Sequence, residues 1–265
     1  MIKNLFRIRK SIDKKLYFAI AASAFLILVT VWHLVSASGL VSQVFLPSPG
    51  VVLQTMIDGF VTGNVWGDLY ISCYRIFMGF LYAAVIGVLL GILAGCFAGV
   101  EAFFQPLIEF LRYLPVPAFV PLIMVWVGID ENAKIAVIFL GTLFQLVPMV
   151  VDDIKSVPED YINAAYTLGA RKFTALWRVI IPAMLPRLMD TLRMMMGWAW
   201  TYLVVAELVA ANSGLGYSIL KAQRYLRTPT IFAGILLIGL LGLIIDRTFV
   251  IVSRRIFRWT EGGGK

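Results

Sequence analysis

The sequence predicts an all-α, polytopic transmembrane helical bundle of about six spans, on three observations. Hydrophobic residues make up 60% of the 265-residue chain and charged residues only 14%, well outside the balance of soluble domains. Several apolar runs reach the roughly 20 residues that a helix needs to cross a bilayer. The alternation of a barrel strand is missing, and lipid admits only helices or closed barrels. A net charge of +8 would suggest nucleic acid in a soluble protein. Here the basic residues gather at particular loops, so membrane topology accounts for them and no nucleic-acid partner is expected.

Residues 1–15 form a basic tail, with Lys3, Arg7, Arg9, Lys10, Lys14 and Lys15 against Asp13 alone. The apolar run from Leu16 to Val35 is longer than the core of a cleaved signal peptide. It reads as an uncleaved first span with its basic end in the cytoplasm. Phe45 to Pro49 is an external turn, and Gly50 to Phe60 a short interfacial helix. Further spans fall near 70–98, 114–129, 133–151, 188–211 and 230–252. Pro115, Pro117 and Pro121 make the third a broken or short helix, buried by its neighbours. With the N-terminus inside, the loop holding Lys155, Arg171, Lys172 and Arg178 is also inside. So is the C-terminal segment with Arg254, Arg255, Arg258 and Lys265. The chain thus reads as one transmembrane domain, 16–257, with a cytoplasmic loop at 152–187 and a short tail at 258–265.

Catalytic chemistry has little material. His33 is the only histidine, so no triad or metal cluster is expected. No Gly-Lys-Ser/Thr phosphate loop is present. Cys73 and Cys96 lie about six turns apart in one apolar stretch, which suits packing better than pairing. Transport fits such a chain, driven by an ion gradient or by a partner.

Polar groups inside spans are costly and call for a role. Glu207, in the outer part of the fifth span, either faces a cavity or bridges to Arg75 on the same side. Arg193 lies fourteen residues earlier, roughly 21 Å along a helix, and is a poorer partner. Asp246 and Arg247 are adjacent, point in different directions and need partners elsewhere. Met194, Met195, Met196, Trp198 and Trp200 crowd the fifth span and suit lipid or neighbour contacts. Gly87, Gly91, Gly95 and Gly99 recur every four residues, the spacing that lets membrane helices touch closely. Lys221, Arg224 and Arg227 form an external basic stripe. It can meet an anionic substrate, an acidic patch on another protein or lipid headgroups, or simply face water.

The stretch from Pro158 to Pro186 is the most distinctive. Glu159 and Asp160 suit the first turn of a helix. Ala164, Ala165 and Leu168 offer a small flat face, and Gly169 permits a sharp end. A second helical segment runs from Phe173 to Ile181, and Pro182 and Pro186 break the path. Asn163-Ala164-Ala165, three residues, Gly169, nine residues, then Val179-Ile180-Ile181-Pro182 resembles the coupling loop of ATP-binding-cassette (ABC) importer permeases. That family's pattern is Glu-Ala-Ala, three residues, Gly, nine residues, Ile, any residue, Leu-Pro. Asn163 stands for the Glu, Val179 for the Ile and Ile181 for the Leu. Glu159 and Asp160, one turn away, can supply the missing carboxylate.

Leu46-Pro47-Ser48-Pro49, Arg75, Pro115-Val116-Pro117, Pro121-Leu122, Ala206-Glu207-Leu208 and Gly214-Leu215-Gly216 extend the resemblance over residues 45–257. Together they resemble the nitrate/sulfonate/taurine/bicarbonate branch of type I importers. The resemblance implies a permease homodimer in a bacterial-type inner membrane, paired ABC ATPase subunits and an external solute-binding protein. ATP and Mg would bind the ATPase, and this chain would hold no cofactor. Coupling would fall to Glu159, Asp160, Asn163, Ala164, Ala165, Leu168, Gly169, Ala170 and Pro182. Arg75, Arg193, Trp198 and Glu207 would lie along the pathway. The alternative is an ion-gradient-driven transporter with Glu207 or Asp246 as coupling acid. A membrane-embedded enzyme is a third reading, short of His, Cys and clustered polar residues.

Overall fold

A computed structural model describes residues 13–259. Lys3, Arg7, Arg9, Lys10 and Lys265 lie outside the described residues. Within them the chain is all helical: α1 (Lys14–Ala37), α2 (Pro49–Val61), α3 (Asn64–Cys96), α4 (Ala98–Arg112), α5 (Val116–Val127) and α6 (Glu131–Lys155). Then come α7 (Glu159–Thr167), α8 (Lys172–Ala175), a π-helical turn (Leu176–Ile180), α9 (Ile181–Ala210), α10 (Leu215–Arg224) and α11 (Thr228–Ile256).

Among the described residues α1, α3, α6 and α11 are long and apolar enough to cross a membrane. The pair α4–α5, bent by 102°, makes a fifth if counted as one span. The expected span at 188–211 forms the 30-residue helix α9, which is not apolar enough to join that count. Its charges are the reason. Arg187, Arg193 and Glu207 each pair with an opposite charge on a different neighbouring helix, so ion pairing offsets the charges that lower its hydropathy.

α6 sits at the centre, between α3 and α9. Ile76, Phe80, Ile138, Leu146, Val150, Met195, Met196, Trp200 and Leu203 are buried together there. The Met/Trp run therefore divides: Met195, Met196 and Trp200 are core, while Met194 and Trp198 are exposed. A second cluster joins Val120 and Ile123 of α5 to Ala133 and Val137 of α6 and Ala206 of α9. Only that face of α5 is buried, because Val125 and Trp126 lie open. The helix α4 was not anticipated, since Glu101, Glu109 and Arg112 dilute its hydropathy. Lys155 at the end of α6 pairs with Glu101.

Smaller elements anchor the outer rim. Ser48 caps α2, its hydroxyl accepting from the Val51 N–H at 3.4 Å, with Pro49 in the first turn. α1 holds on through few groups. The Trp32 indole N–H donates to the Pro47 carbonyl at 2.9 Å and the ring stacks on Phe232 at 5.5 Å.

The α3–α6 contact explains the glycine spacing. A Cβ added at Gly87 would stand 2.9 Å from Leu146 Cδ2, at Gly91 2.5 Å from Val150 Cβ, and at Gly95 2.9 Å from Ile154 Cδ1. Gly79 extends the stripe, its added Cβ falling 2.7 Å from Ile138 Cβ. The stripe lets an i+4 row of branched side chains lie against bare backbone, where van der Waals contact replaces the hydrophobic effect. Gly99 does not belong to it. It lies beyond the break at Phe97, on α4, with nothing within 4 Å of an added Cβ.

Replacing Gly91 with Ala is therefore expected to push α3 from α6 and cost about 1–3 kcal/mol by overpacking. Gly99→Ala should leave thermal stability in detergent almost unchanged. Equal melting temperatures for the two variants would contradict this packing.

Candidate coupling surface and buried charge cluster

The loop between α6 and α9 is a short helical hairpin of its own. Pro158 precedes α7, and Glu159 and Asp160 occupy its first turn, where the helix dipole favours acids. At the other end the Ala170 N–H donates to the Ala165 carbonyl at 3.0 Å, and the Gly169 N–H to Tyr166 at 2.9 Å. This double closure needs a left-handed residue, and Gly169 supplies φ +82°. Ala165 turns inward, at 8% exposure, so it is not part of the presented face expected from spacing. Ala164, Glu159, Asp160 and Asn163 are exposed. So are Tyr161, Tyr166, Leu168 (88%), Phe173 and Trp177. The loop thus exposes apolar and aromatic side chains together with two acids.

Pro182 does not break the chain. Ile181 N–H reaches back five residues to Leu176, so the wider π turn carries α8 into α9 without interruption. A proline, having no N–H, sits in the first turn of α9 at little cost. At the base of the hairpin, Asp153 of α6 is buried. Its carboxylate accepts from Arg187 Nε at 3.0 Å and Thr191 Oγ1 at 2.7 Å, both on α9.

The opposite end of the bundle holds a denser cluster. Arg75 and Glu207 have side-chain exposures of 0%. All five guanidinium N–H groups of Arg75 are used. Nε and Nη2 fork onto Glu131 at 2.5 and 2.8 Å, Nη1 reaches Glu207 and the Ser213 carbonyl, both at 2.7 Å, and Nη2 reaches Ser213 Oγ at 3.2 Å. Glu207 also accepts from Ser72 Oγ at 2.6 Å and the Gly216 N–H at 2.7 Å. Asp68 and Ser72 accept from the Gly214 and Leu215 N–H groups, at 2.7 and 2.9 Å. Side chains of α3 and α9 therefore cap the N-terminus of α10 from outside. Lys134 completes the cluster at 3.2 Å from Glu131.

The glycines of Gly214-Leu215-Gly216 follow from this. Gly214 has φ +112°, and an added Cβ would meet Arg75 Nη1 and Glu207 Cδ at 2.6 Å. A Cβ on Gly216 would stand 2.8 Å from Glu207 Cβ. Of the two alternatives for Glu207, the geometry is that of a bridge with Arg75, and neither side chain faces open space. Arg193 is paired instead with Asp246 of α11, Nε–Oδ1 2.5 Å and Nη2–Oδ2 2.9 Å, both side chains partly exposed. No group of three metal-ligating side chains forms among the described residues.

The chain is similar to known proteins in sequence and in fold. Residues 87–258 match the family of binding-protein-dependent transport system inner membrane components. A probable ABC transporter permease of Brucella abortus (strain 2308) is 37% identical over 230 residues, 87% of this chain and 91% of its own. The chain is an ABC transporter permease of this family. The taurine transport system permease of Escherichia coli (strain K12) is 34% identical over 238 residues, 88% of this chain and 86% of its own. The bicarbonate transport system permease of Synechococcus elongatus (strain ATCC 33912 / PCC 7942 / FACHB-805) is 30% identical over 241 residues, 86% and 85%. The solved bacterial alginate ABC transporter, in complex with alginate-bound periplasmic protein, shares the fold at TM-score 0.60 and 14% identity. That alignment covers 95% of this chain and 99% of the other.

The permease is thus an inner-membrane, multi-pass transport component rather than an enzyme, which sets aside the gradient-driven and enzymatic alternatives. Spacing alone did not reveal Glu131, Ser72, Asp68 or the Asp153–Arg187–Thr191 contact. Each lies at a helix end or on a face that one-dimensional periodicity leaves open.

Two glycine variants separate strain from crowding in the permease. Gly169→Ala faces only the left-handed backbone and should cost about 1 kcal/mol. Gly214→Ala also displaces a buried ion pair and should lose about 3–5 kcal/mol, read as loss of monodisperse protein in detergent. A Gly214→Ala protein as stable as Gly169→Ala would refute the packing of that loop around Arg75 and Glu207.

Proposed function

We propose that this permease imports a small anionic solute as a homodimer, coupled through residues 158–182 to a pair of ABC ATPase subunits. A solute-binding protein delivers the solute from outside. ATP and Mg bind the ATPase, and this chain holds no cofactor. The relatives named for taurine and bicarbonate support a small oxyanion, in line with the nitrate, sulfonate or bicarbonate class. The coupling loop lies in the cytoplasm with both termini, in keeping with the basic residues Lys155, Arg171, Lys172 and Arg178 around it.

One observation carries the coupling assignment. Leu168, Tyr161, Phe173 and Trp177 are all exposed on a hairpin whose first helix is closed at Gly169. Apolar surface of this kind, edged by charge, marks a protein contact. Ala164 keeps the surface low enough for a groove to approach, and Glu159, Asp160 and Asn163 supply its polar edge. Ala165 supports the hairpin from within, Ala170 closes it through its N–H, and Pro182 follows it in the first turn of α9. Motion of α7 reaches α9 through the continuous π turn, and α6 through Asp153.

Pull-down of the tagged chain from mild detergent tests this reading. Leu168→Glu or Gly169→Asp is expected to reduce the copurifying ATPase about tenfold, as for loss of a central apolar anchor, with the permease still monodisperse. Wild-type permease without an ATPase would refute it.

Along the pathway, Arg193 and Trp198 are the candidates that stay partly open, and Nη1 of Arg193 has no partner among the described residues. Arg193→Gln is therefore expected to lower uptake of the transported anion about tenfold or more while the ATPase still copurifies. Reconstituted vesicles tested with taurine, an aliphatic sulfonate, nitrate and bicarbonate provide the measurement. Undiminished uptake of the transported anion would remove Arg193 from the pathway.

A further inference from the structure

The basic stripe Lys221, Arg224 and Arg227 takes no part in coupling or in the pathway. It lies where α10 turns into α11, at the end of α9 opposite the coupling loop. α10 closes with the same two hydrogen bonds as α7. The Arg227 N–H donates to Ala222 at 2.9 Å and the Leu226 N–H to Gln223 at 3.1 Å. The position that Gly169 fills in α7 is filled here by Leu226, with φ +53°. Among the described residues it is the only non-glycine with positive φ. A side chain there crowds the next carbonyl, which is why glycine or asparagine usually takes the place.

Packing within the chain does not offset that strain. Leu226 and Tyr225 are each 68% exposed. Lys221, Arg224 and Arg227 are also exposed, with no hydrogen bond or ion pair from their side chains to a described residue. Beside them opens a cleft of about 900 Å³ between α2, α3, α10 and α11, lined in part by Asn64, Asn212, Tyr217, Lys221 and Arg227. Asp58 and Asp68 are its only acids, and Asp68 is committed to the Gly214 N–H. Basic residues are in excess on the cytoplasmic side of membrane proteins. Three of them here, on the other side in the proposed orientation, stand against that bias.

We propose that the turn 221–227 and its cleft dock an acidic surface of the solute-binding protein. Leu226 and Tyr225 form the apolar centre of the contact, and the three cations its rim. The proposal rests on the importer reading. A strained backbone that aims Leu226 outward, beside a cleft of this size, fits a folded partner. An anionic lipid headgroup needs the charges alone.

The test uses the full-length permease with its ATPase in nanodiscs of phosphatidylethanolamine and phosphatidylglycerol. The purified solute-binding protein encoded with the same transporter is the probe, with Kd measured at about 50 and 200 mM NaCl. The triple variant Lys221→Glu/Arg224→Glu/Arg227→Glu is expected to weaken binding about tenfold or more and to flatten its salt dependence. Leu226→Gly is expected to raise the melting temperature yet weaken binding severalfold. Binding by both variants within about twofold of wild type overturns the docking surface alone. So does a loss that disappears when phosphatidylcholine replaces phosphatidylglycerol, which assigns the charges to lipid. A wild-type complex that binds no solute-binding protein overturns both this proposal and the partner it rests on.

Discussion

A helix carrying charges stays in a bilayer when neighbouring helices match those charges, and α9 meets this condition three times. Arg187 pairs with Asp153 of α6, Arg193 with Asp246 of α11, and Glu207 with Arg75 of α3. Each pair ties α9 to a different helix at a different depth. Removing one partner of the fully buried pair, Arg75 or Glu207, leaves an uncompensated charge, which is far costlier than never having had the pair. The register of four helices is therefore fixed by α9. The apolar packing of α3 on α6, set by the glycine stripe, fills the frame that these pairs define.

The same frame joins the two ends of the molecule. Glu131 begins α6 and Glu207 lies near the end of α9, and both meet Arg75. Asp153 and Arg187 join the other ends of α6 and α9, where the hairpin α7–α8 is inserted. A helix pair bound at both ends moves as one body. In the proposed assembly, a push on α7 passes through the π turn into that body instead of bending α9 alone. Interfaces of this kind shift between discrete packings rather than deforming smoothly.

Much of this was legible in the sequence. Apolar runs located four spans, the prolines at 115, 117 and 121 located the break near Pro115, and the spacing from Asn163 to Pro182 located the hairpin. The Arg75–Glu207 bridge was one of two stated alternatives, since both residues fall near the same membrane face. What stayed hidden has a common cause. Glu131, Asp153 and Asp246 are ordinary acids at helix ends or among apolar residues, and only the three-dimensional meeting of helices assigns their partners. Pro182 misled for a related reason. A proline ends a regular α-helix, but a π turn upstream removes the bond that proline would break. α4 escaped because its few charges hide an amphipathic helix from a search for uninterrupted apolar runs.

The two hairpin ends carry the deepest contrast. α7 and α10 close with identical hydrogen bonds, yet one places glycine at the left-handed position and the other leucine. Glycine at 169 relaxes the backbone and lets neighbouring side chains, Leu168 above all, make the surface. Leucine at 226 accepts strain so that the left-handed residue itself makes the surface. Both turns are exposed, so the difference does not come from packing inside the chain. In the proposed assembly it comes from what each turn has to present: at α7 a low face for a groove, at α10 a projecting apolar side chain among cations. In that proposed assembly, one capping geometry, with two choices of residue, thus serves contacts on opposite sides of one membrane.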